Sequence, residues 1–229
     1  MNDIHQILQQ HWGHTSFRPL QQDIIESVLE KNDTLALLPT GGGKTICFQV
    51  PALAKDGICI VITPLIALMQ DQVEQLNNRG IQAIAINSSM SKKQIDIALD
   101  NCIYGQIKFI YISPERLKTN LFIERAKQMN IKLLVVDEAH CISQWGYDFR
   151  PPYLEISKFR EIIPSVPCIA LTASANQEVK LDIIEKLGFK NPKIFQKSFT
   201  RANLSYSCKW EDNKDPQLVQ MITKVGGSS

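Results

Sequence analysis

Short apolar runs of strand length alternate with amphipathic segments of helix length along the whole chain, and that order leaves few folds open. The runs are Thr34 to Leu38, Ile58 to Ile62, Ala83 to Ile86, Phe109 to Ile112, Leu133 to Val136 and Cys168 to Leu171. They are apolar at nearly every position, not at every second one, which suits strands covered on both faces. Leu65 to Asn78, Ser91 to Tyr104, Tyr153 to Ile163 and Asn176 to Leu187 read as the intervening helices. The expected class is α/β: an open, mostly parallel twisted sheet with helices on both faces. Ligands of such sheets gather at the carboxyl ends of the strands.

The stretch LLPTGGGKT, residues 37 to 45, follows the first run. Its glycines Gly41, Gly42 and Gly43 permit positive φ and close approach of another group to the backbone, and Lys44 opens a helix whose first N–H groups are unpaired. Together with Thr40 and the partial positive charge of the helix start, they form a cradle for phosphate. Lys44 would reach the outer phosphates and the Thr45 hydroxyl would serve Mg²⁺. The usual phosphate-loop pattern has glycine where this chain has Leu38. A turn that merely joins strand to helix is the alternative, but it needs neither the lysine nor the hydroxyl.

A second constellation, VVDEAHCISQWGYDFRPPY, occupies residues 135 to 153. An acidic pair at the end of a buried strand is what a phosphate loop on the same sheet requires. Asp137 can hold Mg²⁺, and Glu138 can orient and deprotonate water. Two acids capping the next segment is the plainer reading of this stretch alone.

Composition excludes several classes. With 44% hydrophobic residues and a net charge of +2, the chain has ample core material and no strongly basic tail for nucleic acid. No apolar stretch reaches the roughly 18 residues of a membrane span, and the first residues lack a secretory pattern. Six cysteines are scattered without a C-x-x-C pair, so a soluble, reduced, intracellular protein without disulfides or structural zinc is expected.

DEAH (Asp137, Glu138, Ala139, His140) beside TGGGKT resembles a superfamily 2 helicase, and CISQWGYDFRP resembles the aromatic-rich loop of RecQ-family DNA helicases. FRPLQQDII (17 to 25), TPLIALMQDQV (63 to 73), YISPERL (111 to 117), LTASA (171 to 175) and SFTRANLSYS (198 to 207) follow the family's order. The resemblance implies a RecA-like phosphate-loop NTPase domain that uses ATP and Mg²⁺ to move 3′ to 5′ on DNA. Gln21 would then read adenine, with Arg18 on one face of the base and His14 on the other; an ordinary helix start at Pro19 fits the same residues. Trp145 and Phe149 would meet single-stranded DNA, since exposed aromatics stack on any base. Arg150 and His140 would couple that contact to the nucleotide. Thr63, Ser113 and Arg116 would lie along the DNA backbone, although a helix-surface salt bridge explains Arg116 equally well. Thr172 and Ser174 would relay the hydrolysis state.

The chain departs from the family pattern at Leu20 (commonly glycine), Tyr147 (histidine), Pro152 (an acid) and Ser174 (threonine). The resemblance further implies residues 1–33 as a helical adenine-recognition segment, 34–200 as the first RecA-like domain and 201–229 as a connector to a second one, absent here, that would supply an arginine finger. Without that finger, phosphoryl transfer is expected to lose about 10³ to 10⁵ in rate. DNA strands and junctions are the expected partners, with no membrane. The implied setting is the bacterial cytoplasm and nucleoid, or the nucleus if the source is eukaryotic. An RNA helicase and a nucleotide-dependent binding module without turnover are the alternatives.

Overall fold

A computed structural model describes residues 3–146, 148–197, 208, 210 and 214–225. The chain divides into two units, Met1–Lys197 and Ser198–Ser229. SFTRANLSYS and Tyr147 lie outside the described residues.

The first unit begins with helices α1 (Ile4–Trp12) and α2 (Gln21–Leu29). Strands β1 (Thr34–Leu37), β2 (Ile58–Ile62), β3 (Ala83–Ile86), β4 (Phe109–Ile112), β5 (Ile131–Val136), β6 (Cys168–Thr172) and β7 (Lys193–Gln196) then alternate with α3 (Ile46–Leu53), α4 (Ile66–Asn78), α5 (Lys92–Tyr104), α6 (Asn120–Ala126), α7 (Glu155–Ile162) and α8 (Gln177–Lys186). The strands form one sheet in the order β3-β4-β2-β5-β6-β1-β7, every neighbouring pair parallel. Successive strand residues point to opposite faces. Leu35 and Leu37 join Ile60, Leu134 and Ala170 beneath residues of α5, α7 and α8. Ala36 and Leu38 join Val61, Val135 and Ile169 beneath residues of α2, α3 and α4. The expected α/β sheet covered on both faces is the one observed.

Several elements escaped the sequence reading. β7 is short, half polar and mostly exposed, because it sits at the sheet edge and pairs only with β1. The 3-10 turn Pro114–Lys118 and the short α6 carry too few residues to show a period. The helix expected from Tyr153 starts at Glu155, since Pro151 and Pro152 open a 3-10 turn instead. In the second unit, helix α9 (Lys214–Val225) exposes Leu218, Val219, Met221 and Ile222.

Asp33, just ahead of β1, ties one end of the sheet together. Its Oδ1 accepts from Cys168 N at 3.0 Å, its Oδ2 from Arg160 Nη2 at 2.7 Å, and its carbonyl from Lys193 N at 2.9 Å. Arg160 Nη1 also donates to Leu187 O at 2.6 Å, with the guanidinium 4.8 Å above the Phe189 ring. The Asp33 carboxylate thereby ties the start of β6 to Arg160, its carbonyl holds the start of β7, and Arg160 holds the end of α8.

Cys47, Cys59, Cys102, Cys141 and Cys168 are buried and Cys208 is exposed, all six as free thiols. Burial pushes Cys47 and Cys168 up to about 12. Among the described residues no helix is long and apolar enough to cross a membrane.

Removing one partner of a largely buried ion pair strands the other. Asp33→Ala should therefore cost about 2–4 kcal/mol in urea denaturation. A loss typical of a surface pair, below about 0.5 kcal/mol, would contradict this account.

Candidate nucleotide and nucleic-acid site

The phosphate-loop candidates sit where β1 ends. Leu38 is buried and its N–H donates to Thr172 O at 3.1 Å, so it extends the strand and its backbone does not need glycine. The chain then turns through Thr40 with φ of 77° at Gly41 and 75° at Gly43. Ile46 N→Gly43 O (3.2 Å) and Gln49 N→Thr45 O (3.0 Å) begin α3. That helix is buried at six consecutive positions, Cys47 to Ala52, which anchors the loop in the core.

The segment between α1 and α2 holds this loop from above. Gln21 is buried, its Oε1 accepting from Arg18 N at 2.8 Å and its Nε2 donating to Gly43 O at 3.1 Å. Arg18 Nη1 donates to Gly41 O at 2.7 Å. One amide hydrogen and one lone pair of Gln21 remain for a base. A side chain at position 43 would collide with Gln21 Nε2, so glycine is required there for space as well as for φ. His14 is exposed on the same segment. Leu20, where the family commonly has glycine, caps α2 at φ 70°, ψ −15°, the left-handed region that glycine occupies without strain.

The acidic pair follows β5, between β2 and β6. Asp137 is buried, and its N–H donates to Ile62 O at 2.8 Å. Burial and the neighbouring Glu138 push its carboxyl up to about 6, against the pull of Lys44, the Glu138 N–H and Thr63. A buried carboxyl raised this far wants a cation. Glu138 adopts φ 47°, ψ 46°, a left-handed conformation uncommon for a non-glycine residue and frequent at functional sites. There its N–H donates to Asp137 Oδ1 at 3.0 Å while its carboxylate lies 3.4 Å from Lys44 Nζ and 3.3 Å from His140 Nδ1. His140 Nδ1 is also 3.0 Å from Thr172 Oγ1, which donates to Ser174 O at 3.2 Å. Burial lowers the His140 pKa, keeping the ring neutral near pH 7. Lys44, Asp137, Glu138, His140, Thr172 and Ser174 thus form one connected group. Their chemistry fits a divalent cation and a nucleotide phosphate: a buried carboxyl at Asp137, and the ammonium of Lys44 beside the glycine-rich backbone.

The proposed nucleic-acid residues divide. Ser113 and Arg116 line a cavity of about 400 Å³ with Pro64, Ile66, Asn87 and Ser88. Among the described residues Arg116 has no ion-pair partner. Thr63 is a correction: it is buried beside Asp137 and does not reach the surface, because it follows an interior strand directly. Trp145 is 71% exposed and Phe149 is half-buried. Arg150 pairs with Asp148 at 3.1 Å, donates through Nη1 to Pro64 O at 3.3 Å and through its backbone to Cys141 O at 2.8 Å. It therefore ties the aromatic loop to the β2–α4 turn.

A family model described as DEAD/DEAH box helicase matches residues 18–181. The chain belongs to the DEAD/DEAH box helicases. It is 39% identical, over 97% of its length, to the ATP-dependent DNA helicase RecQ of Haemophilus influenzae. It is 42% identical, over 99% of its length, to the probable ATP-dependent DNA helicase RecS of Bacillus subtilis. It spans 36% and 46% of those two proteins, so it matches less than half of each. The crystal structure of the DUF1998 helicase MrfA superposes with a TM-score of 0.72 over 99% of this chain and 37% of that one, at 16% identity, a likeness of fold.

Several residues of this helicase domain were not legible in the sequence. Tyr153 donates its hydroxyl to Asp137 O at 2.9 Å, and Ser143 Oγ donates to Asp182 Oδ2 at 2.7 Å across a separation of 39 residues. The latter pair leaves no local signal.

Two predictions follow from the strained and buried groups. The folded-state pKa of Asp137 lies above its ordinary value, so the stability linked to it is full below about pH 4 and is lost as pH rises through about 6. Without Mg²⁺, Asp137→Asn should be more stable than wild type by about 1–3 kcal/mol at pH 7.5 and not at pH 4. Equal pH dependence of the two melting curves would refute the raised pKa. At Leu20, glycine should be more stable than alanine by about 1 kcal/mol in urea denaturation, the reverse of the usual order in helices. Alanine keeps the left-handed strain while losing the leucine's contacts, so the usual order at this position would show that the strain is absent.

Proposed function

We propose that this domain is the first motor domain of a RecQ-type ATP-dependent DNA helicase, and that a second RecA-like domain completes its nucleotide cleft. One observation carries the reading. Asp137, Glu138 and the exposed Trp145 lie on one continuous segment after β5, and Glu138 meets Lys44 of the loop after β1 at the same end of the sheet.

In this reading Gly41 to Thr45 and Lys44 bind the phosphates of ATP, and Thr45 and Asp137 hold Mg²⁺, whose charge offsets that of the phosphates. Lys44 leaves Glu138 for phosphate, which frees the Glu138 carboxylate to orient the attacking water and take its proton. Gln21 and Arg18, already bonded to the loop that binds phosphate, make adenine recognition and loop position interdependent. His140 and Thr172 join Glu138 to the β6–α8 segment, so a change at Glu138 is felt at Ser174. Single-stranded DNA runs past Ser113 and Arg116 and stacks on Trp145. Phe149 extends that contact and Arg150 holds it against Pro64. With the arginine finger in the second domain, the single domain turns over slowly. Unwinding of strands and junctions, repair and recombination, and a place at the bacterial nucleoid or in a eukaryotic nucleus are the roles expected of the whole protein.

Titration of a fluorescent ATP analogue with Mg²⁺ into the wild type and Lys44→Ala, with single-stranded DNA and RNA added in turn, tests this. The lysine variant should lose at least about tenfold in nucleotide affinity, and Trp145→Ala about tenfold or more in DNA affinity. Equal nucleotide binding by the wild type and Lys44→Ala would remove the phosphate site, and stronger RNA binding would reassign the substrate.

A further inference from the structure

The aromatic loop is fastened from a side that takes no part in nucleotide binding. Ser143 is fully buried and follows the 3-10 turn Ala139–Ile142. Its hydroxyl donates to Asp182 Oδ2 at 2.7 Å and accepts from Trp145 N at 3.2 Å. Its carbonyl accepts from Gly146 N at 3.2 Å. A Cβ at position 146 would come within 2.9 Å of His140 O, so the turn is closed tightly around these bonds. Asp182 lies on α8, where Lys186 Nζ bonds the same Oδ2 at 3.0 Å. Val179 and Ile183 of that helix share the core with Ala139, Cys141 and Ile142.

The same β6–α8 segment therefore grips the loop at two points. Thr172 holds His140 at the nucleotide end, and Asp182 holds Ser143 at the Trp145 end. We infer that Asp182 is a positioning residue for nucleic-acid binding: through Ser143 it fixes the backbone that presents Trp145. This rests on the reading that Trp145 meets single-stranded DNA, and it adds a residue outside both the nucleotide site and the DNA track.

The bond requires an acceptor at 182 and does not require a charge. Asp182→Ala and Ser143→Ala should each weaken binding of a labelled single-stranded oligonucleotide about tenfold, with affinity for the Mg²⁺–ATP analogue within about twofold of wild type. Asp182→Asn keeps an acceptor for the Ser143 hydroxyl and should bind near the wild-type level. With 5-fluorotryptophan incorporated, the ¹⁹F resonance absent from Trp145→Phe should shift in both alanine variants and stay in place in Asp182→Asn. If Asp182→Ala fails to fold, Ser143→Ala decides. Wild-type DNA affinity and an unmoved Trp145 resonance in the alanine variants would overturn the inference. A Trp145→Ala variant that binds DNA normally would instead remove the nucleic-acid reading itself, while the resonance would still report whether Asp182 holds the loop.

Discussion

A carboxyl group buried at the mouth of an apolar sheet is costly as an anion, and much of the site is arranged around that cost at Asp137. β5 lies inside the sheet, flanked by β2 and β6, so the carboxyl cannot move out to water by fraying. Lys44, the Glu138 N–H and Thr63 each favour its charged form, but burial and the Glu138 charge outweigh them. A bound divalent cation would reverse that balance. In the proposed function the group weakens the empty fold and serves the bound one, a common compromise at functional sites.

The surrounding loops are held mainly by single side chains reaching backbone groups far away in sequence. Gln21 to Gly43, Arg18 to Gly41, Arg150 to Pro64 and Tyr153 to Asp137 all have this form. Such bonds fix a loop without burying it in the core. Left-handed backbone at Leu20 and Glu138 marks where the fold bends to bring these groups together.

Local chemistry determined what could be read before the fold was known. β2, β4 and the second half of β5 were legible because every residue is apolar, and the phosphate loop because glycine, lysine and threonine have few other reasons to coincide. β7 was silent because an edge strand that pairs on one side tolerates Lys193 and Gln196. Thr63 was misplaced because a motif gives the order of residues along the chain and not the direction of a side chain. Ser143 and Asp182 could not be paired at all, since the contact exists only once α8 lies against the 3-10 turn.

The distribution of cysteines gives the domain an unfolding reporter of its own. The buried thiols sit on α3, β2, α5, the 3-10 turn after Glu138, and β6, so each belongs to a different element. A thiol reagent meets Cys208 at once and each of the others only when its element opens. The order in which mass increments accumulate would therefore rank the local stabilities of the fold.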